Sequence, residues 1–118
     1  MDNKQIEALN LWGADSESAI KRMLGDEVFY LSLVDAFVSN NDWNDMCKLI
    51  EKKQYRDAFV ISHRMKGSCV DLSLTPLFKA MCELTDDLRY EEIRPTLESD
   101  LEAAQKLRDS LVKALHLE

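Results

Sequence analysis

Glycine and proline are scarce in this chain, which has three glycines and two prolines among 118 residues. Average usage is about 7% glycine and about 5% proline. A β-sandwich or barrel needs turn formers at short, regular intervals, so the composition favours long helices. Apolar residues also recur at helical spacing along the chain. We therefore predict an all-α fold in one domain covering residues 1–118, an antiparallel four-helix bundle with short N-terminal helices capping one end.

Most of these turn formers fall at predicted helix boundaries. Gly13 and Gly25 end the two short N-terminal helices, and Asp26 opens a longer one. Pro76 and Pro95 stand near the starts of the last two helices, where a missing N–H costs nothing. Only one glycine of the chain has neither role, and it lies inside a predicted helix.

The net charge of the chain is −7, from 22 acidic and 15 basic residues. An acidic chain without a basic half is poorly suited to bind nucleic acid or an anionic membrane, so we expect neither partner. No stretch approaches the ~18 apolar residues of a membrane span, and the N-terminus does not resemble a signal peptide. A self-contained bundle gives no reason for a dimer, so we expect a monomer.

The three cysteines are odd in number and lack CxxC spacing, and they fall among apolar residues at Cys47, Cys69 and Cys82. We expect buried free thiols rather than disulfides, which indicates a reducing compartment and a cytoplasmic protein. The two histidines and three cysteines form no close ligand cluster along the chain. We therefore expect no metal site and no cofactor.

The helix predicted from about Tyr55 to Leu72 carries the residues with chemical potential. On a helical wheel its core face is formed by small and apolar side chains: Ala58, Ser62, Met65, Cys69 and Leu72. His63 points about 140° away from the centre of that face and is therefore expected at the surface. Lys66 and Gly67, three and four residues further on, are its neighbours on the helix surface.

Gly67 is the glycine that breaks the pattern. Inside a helix, glycine is less favourable than alanine by about 1 kcal/mol, so its presence needs a reason. The missing side chain clears space above the His63 imidazole for an approaching partner. Neutral imidazole is a nucleophile near pH 7, and Lys66 adds a charge that would stabilise a transferring phosphoryl group.

The surroundings of that histidine combine apolar and basic residues. Phe59, Val60 and Val70 provide an apolar surface that suits docking. Residues 52–66 hold five basic residues, Arg64 among them, against one acidic residue, a local charge of +4 in an acidic chain. We expect an acidic pocket of a partner to be steered to this segment.

The segment from His63 to Leu72 resembles the HxxKGxxxxL signature of histidine-containing phosphotransfer (HPt) domains. A second segment, residues 25–37, resembles the family's GDxxxYxxLxxxF helix, and Tyr55 stands where the family has an aromatic residue. The resemblance covers roughly residues 12–115. Where the family usually has glycine after the leucine, this chain has Ser73, which we expect to end the helix by capping rather than by a left-handed backbone.

The resemblance implies a phosphorelay carrier in two-component signal transduction. His63 would accept a phosphoryl group from a receiver-domain aspartate and pass it to another receiver, with Lys66 stabilising charge and Gly67 giving access. The partners would be response-regulator receiver domains or a hybrid histidine kinase, and Mg²⁺ would sit on the receiver. The protein itself would be no enzyme, because it has no kinase activity of its own.

Two other interpretations remain. A non-catalytic helical adaptor would keep the bundle and bind a receiver or another protein without accepting phosphate. An unrelated helical-bundle enzyme is disfavoured, because no second acid or base is placed beside His63 by the sequence. A kinase dimerisation domain is also disfavoured, because Arg64 replaces the acidic residue that usually follows its histidine.

Overall fold

The computed structural model describes residues 3–89 and 93–116. Within these ranges the chain forms seven α-helices and no strand, which confirms the all-α prediction. In chain order the helices are α1 (Lys4–Trp12), α2 (Ser16–Arg22), α3 (Glu27–Ser39), α4 (Asp42–Glu51), α5 (Tyr55–Asp71), α6 (Thr75–Arg89) and α7 (Leu97–Leu115). None of these helices is long and apolar enough to cross a membrane.

Short polar side chains cap the first three helices. Asn3, Asp15 and Asp26 each accept a hydrogen bond from the backbone N–H three residues further on, which satisfies a helix donor that would otherwise lack a partner. The start predicted at Asp26 is therefore confirmed, and of the two caps that the sequence allows for the second helix, Asp15 and Ser16, the structure uses Asp15. The predicted start of the first helix, at Asp2, lies outside the described residues. The last helix begins at Leu97, after a turn at Pro95 and Thr96.

The end of α5 differs from the expectation for Ser73. This residue has a left-handed backbone, with φ at 53°, so the prediction that it would avoid that conformation is wrong. Its N–H donates to the Val70 carbonyl, and the N–H of Leu74 donates to the Cys69 carbonyl, the pair of bonds that glycine usually supports at a helix end. The Ser73 carbonyl also accepts the Asp15 N–H at 2.9 Å, which helps to hold this conformation.

The helices pack in an order that leaves one face of α5 open to solvent. α5 contacts α4 on one side and α6 on the other, α6 contacts α7, and α7 contacts α1 and α3. Inside the core, the hydroxyls of Ser62 and Thr85 form a hydrogen bond between α5 and α6. The Tyr30 hydroxyl donates to the Leu72 carbonyl at 2.9 Å, which ties α3 to the end of α5.

The first helix lies along α7 rather than across one end of the fold, where we expected it. The side-chain amide of Gln5 donates to the carbonyl of Leu115, and the indole of Trp12 donates to the carbonyl of Leu107. This order of contacts makes α1 antiparallel to α7. Leu9 lies in the shared core, so α1 packs against the other helices through this buried side chain.

Candidate functional site

The outward face of α5 presents His63 to solvent, as its helical spacing predicts. The imidazole is exposed, whereas the predicted core face of the helix is buried. That buried face consists of Ala58, Ser62, Met65 and Cys69, continued by Leu72 at the helix end. An imidazole on the exposed face of a well-packed helix has a fixed backbone and is accessible to a group on another protein.

Phe59 supports the His63 ring from one helical turn earlier. The two rings meet edge to face, with centroids 5.9 Å apart and an interplanar angle of 74°. The guanidinium of Arg89 lies over the Phe59 ring, 5.4 Å from its centroid, in a cation–π arrangement. Phe59 is half-buried and packs against the core. It therefore holds the imidazole in place as well as offering apolar surface.

Lys66 and Gly67 lie on the same outward side, one turn beyond the imidazole. Lys66 is half-buried and Gly67 is exposed. A Cβ atom placed on Gly67 would meet no heavy atom within 4 Å outside its own helix backbone. Packing within the described chain therefore does not require glycine at this position. The space above His63 that the missing side chain leaves is open.

Arg64 has a partner within the chain. Its guanidinium binds the Asp42 carboxylate through two hydrogen bonds, at 2.7 and 3.2 Å, where α4 begins. This contact raises the pKa of Arg64 further above its ordinary value. The guanidinium expected to face a partner is thus already engaged with Asp42, and it contributes less free positive charge than the sequence indicated.

Two valines on this face are exposed to a degree that is unusual for their type. Val60 is 55% exposed and Val70 is 53% exposed. They lie before and after the imidazole on α5, in the positions expected for them. Together with the exposed part of Phe59 they give the surface around His63 an apolar character that suits contact with another protein.

A groove beside the site was missed by the sequence reasoning. Its volume is about 630 Å³, and it lies where the start of α5 meets the end of α6. The groove is lined by Lys53, Gln54, Tyr55, Arg56, Asp57, Phe59, Leu88 and Arg89. Six of these lining residues are close together in the sequence, between positions 53 and 59. Leu88 and Arg89 line the groove only because α6 packs against α5, which the sequence alone did not reveal.

The cysteines are free, as predicted, with Cys69 buried and the other two half-buried. Burial raises the pKa of the Cys69 thiol to about 12, so it stays protonated and inert at neutral pH. Among residues 3–89 and 93–116, no three histidine, cysteine or acidic side chains converge as metal ligands.

A buried carboxyl group on α6 was also missed. Asp87 has no exposed surface and accepts a hydrogen bond from the Thr96 hydroxyl at 2.7 Å. Arg94 lies 3.8 Å away. Burial, followed by a hydrogen bond to the Asp100 carboxyl, raises the pKa of Asp87 from 3.8 to about 6. This group joins the end of α6 to the start of α7.

The site as a whole is an exposed imidazole braced by an aromatic ring, with a lysine and an open glycine one turn away. Apolar side chains flank it on α5, and a basic groove opens beside it. Comparisons with protein-family models, curated proteins and solved structures found no match.

Proposed function

We propose that this protein is a phosphorelay carrier of the HPt type, in which His63 receives a phosphoryl group from one receiver domain and delivers it to another. The observation that carries the proposal is the exposed His63 followed by Lys66 and by an unobstructed Gly67 on the same face of α5. No second acid or base is needed for such a transfer, because positioning and charge stabilisation dominate phosphoryl transfer.

The transfer step uses one ring nitrogen of His63 as the nucleophile. Its lone pair forms a nitrogen–phosphorus bond while the bond between phosphorus and the aspartyl oxygen of the receiver breaks, and the receiver keeps a free carboxylate. The ammonium of Lys66 stabilises the charge on the phosphoryl oxygens. The Mg²⁺ that this chemistry uses belongs to the receiver domain, so the carrier itself needs no cofactor.

An antiparallel four-helix bundle made of α4, α5, α6 and α7 is the arrangement that we propose for this function. The contacts of α5 with α4 and α6, and of α6 with α7, support it. A hydrogen bond of 2.8 Å from the Trp43 indole to Gln105 links α4 to α7 and would close the bundle. The carrier is proposed to act as a cytoplasmic monomer that meets response-regulator receivers or a hybrid histidine kinase.

Labelling by a phosphorylated receiver tests this function. Receiver domains from the same genome are charged with radiolabelled acetyl phosphate and Mg²⁺ and then mixed with the protein. We expect one acid-labile, base-stable phosphate per chain, as a phosphohistidine requires, and its loss in His63→Gln. The matched control is His116→Gln, which removes the other histidine of the chain, exposed at the end of α7.

Two outcomes contradict the proposal. A label that survives in His63→Gln assigns the phosphate to another residue. Receiver binding without transfer at any time point identifies the non-catalytic adaptor instead, for which the exposed Val60 and Val70 already offer a docking surface.

A further inference from the structure

The groove at the start of α5 has walls of two kinds. Phe59 and Leu88 form an apolar part, and the side chains of Lys53, Arg56 and Arg89 stand around it. A groove of about 630 Å³ is large enough for one side chain and the neighbouring backbone of a peptide segment. Its occupant therefore has to combine an apolar side chain with groups that complement the charge of the rim.

The rim is positively charged although the whole chain is acidic. Among the residues that the structure describes, three cations line the groove together with one carboxylate, that of Asp57. Lys53 and Arg56 form no ion pair within the described residues, in contrast to Arg64, which is bound to Asp42. Arg89 lies 3.4 Å from Asp86, but both side chains are exposed, so this pair leaves much of the charge available.

The backbone at the start of α5 also favours a negatively charged group in the groove. Gln54 precedes the first turn of α5 without making a side-chain capping hydrogen bond. The N–H groups of that turn therefore lack a side-chain acceptor and carry the positive end of the helix dipole. A carboxylate from a partner, held by Arg56 in the groove, would act as the missing cap.

The floor of the groove leads directly to the candidate site. Phe59 lines the groove, carries Arg89 on its ring and meets His63 edge to face. A segment bound in the groove would therefore lie one helical turn from the imidazole. Its position sets where the rest of the bound protein stands relative to that ring.

We propose that this groove binds an acidic segment of the receiver domain, with an apolar side chain against the exposed part of Phe59 and carboxylates on Lys53, Arg56 and Arg89. The identity of the partner as a receiver rests on the proposed function, whereas its acidic character rests on the groove. Docking there orients the receiver so that its aspartyl phosphate faces His63. Such electrostatic contacts raise the association rate and fix the register of the complex.

Charge reversal at Arg56 is the test. Arg56→Glu places an acid in the first turn of α5, where it favours the helix, so the fold is retained. Lys79→Glu is the control, because it changes the net charge equally at an exposed position near the other end of α6. We expect the Kd for a receiver domain, from calorimetric titration, to rise at least tenfold in Arg56→Glu and less than threefold in Lys79→Glu.

Receiver binding and small-donor labelling together separate this inference from the proposed function. Labelling of His63 by phosphoramidate, a small phosphoryl donor, should be equal in wild type and Arg56→Glu, because no docking is involved. Equal receiver affinity in the two charge-reversed variants overturns the groove proposal while His63 labelling stands. Selective loss of binding in Arg56→Glu with no labelling of His63 by any donor keeps the groove and overturns the carrier function. If no receiver domain binds the wild-type chain, both are overturned.

Discussion

The ring of Phe59 meets the imidazole of His63 edge to face, with 5.9 Å between the ring centroids and 74° between the planes. The two residues are one helical turn apart, so the backbone of α5 sets their spacing. Arg89 covers Phe59 from α6 and restricts the phenyl ring in turn. The imidazole is thus exposed but oriented, a combination that would lower the entropic cost of reaching a reactive geometry in the proposed transfer.

Replacing Phe59 by leucine should slow phosphotransfer through loss of this orientation. We expect a roughly threefold to tenfold lower rate from a phosphorylated receiver, because small misplacements of reacting groups are costly. Stability should fall by about 1 kcal/mol, through the lost aromatic contact and imperfect filling of its place. Quench-flow transfer assays and urea unfolding measure the two quantities.

The matched control for Phe59 is Phe78, a half-buried residue on α6 that also packs on the core. Phe78→Leu should lose similar stability and transfer phosphate at the normal rate. Equal slowing in both variants would assign the effect to general loosening of the fold and would remove the orienting role of Phe59.

Replacing Lys66 should lower the rate of phosphotransfer without changing the stability of the fold. In Lys66→Ala we expect transfer to be about tenfold slower, the lower end of what a lost electrostatic group costs, because this ammonium is partly open to water. Lys66→Arg keeps the charge and should recover most of the rate. Thermal unfolding should show the same Tm for all three proteins, and an unchanged rate in Lys66→Ala would exclude the proposed charge stabilisation.

Substitutions at Gly67 should stabilise the helix but, when the new side chain is large, hinder docking of the receiver. The added Cβ of Gly67→Ala meets open space, so the helix should gain about 1 kcal/mol in unfolding free energy. In Gly67→Leu the fold should again be retained, but the larger side chain should obstruct the receiver and slow transfer more than alanine does. Normal transfer in Gly67→Leu would mean that the space above His63 has no functional role.

Local sequence spacing was sufficient for the parts of this site that lie on one helix. The exposed face with His63 and the buried face with Met65 follow from the helical period alone. The caps at Asp15 and Asp26 follow from side-chain chemistry near the backbone. Ser73 was predicted wrongly because its left-handed backbone is held by contacts from distant residues, including the Asp15 N–H.

Contacts between residues on different helices could not be predicted from the spacing of residues along one helix. Arg64 and Asp42 are 22 residues apart and meet only because α4 packs on α5. Arg89 and Phe59 are 30 residues apart in the sequence and come into contact because α6 packs on α5. The charge of residues 52–66 was counted correctly from the sequence, but the pairing of Arg64 with Asp42 and the position of Lys53 and Arg56 at the groove needed the fold.

Asp87 makes stability depend on pH in a direction opposite to that of most carboxylates. Burial and the Asp100 carboxyl raise its pKa to about 6, whereas Arg94 and the Thr96 hydroxyl oppose this shift. Because the folded state holds the proton more tightly than the unfolded chain, the contribution to stability is complete below about pH 4. It is lost as the pH rises through about 6. At about 1.4 kcal/mol per pKa unit, the loss is at most about 3 kcal/mol.

Asp87→Asn should therefore remove this pH dependence. The asparagine oxygen still accepts the Thr96 hydroxyl, and the neutral amide places no charge in this buried position, so the variant should be more stable than the wild type at pH 8 by about 1–3 kcal/mol. Urea unfolding from pH 4 to pH 8 measures this. Asp86→Asn, an exposed neighbour on the same helix, is the control and should keep the wild-type profile. An unchanged pH profile in Asp87→Asn would mean that the carboxyl of Asp87 is already ionised at pH 5 in the folded protein, because an ionised group has no proton to lose as the pH rises.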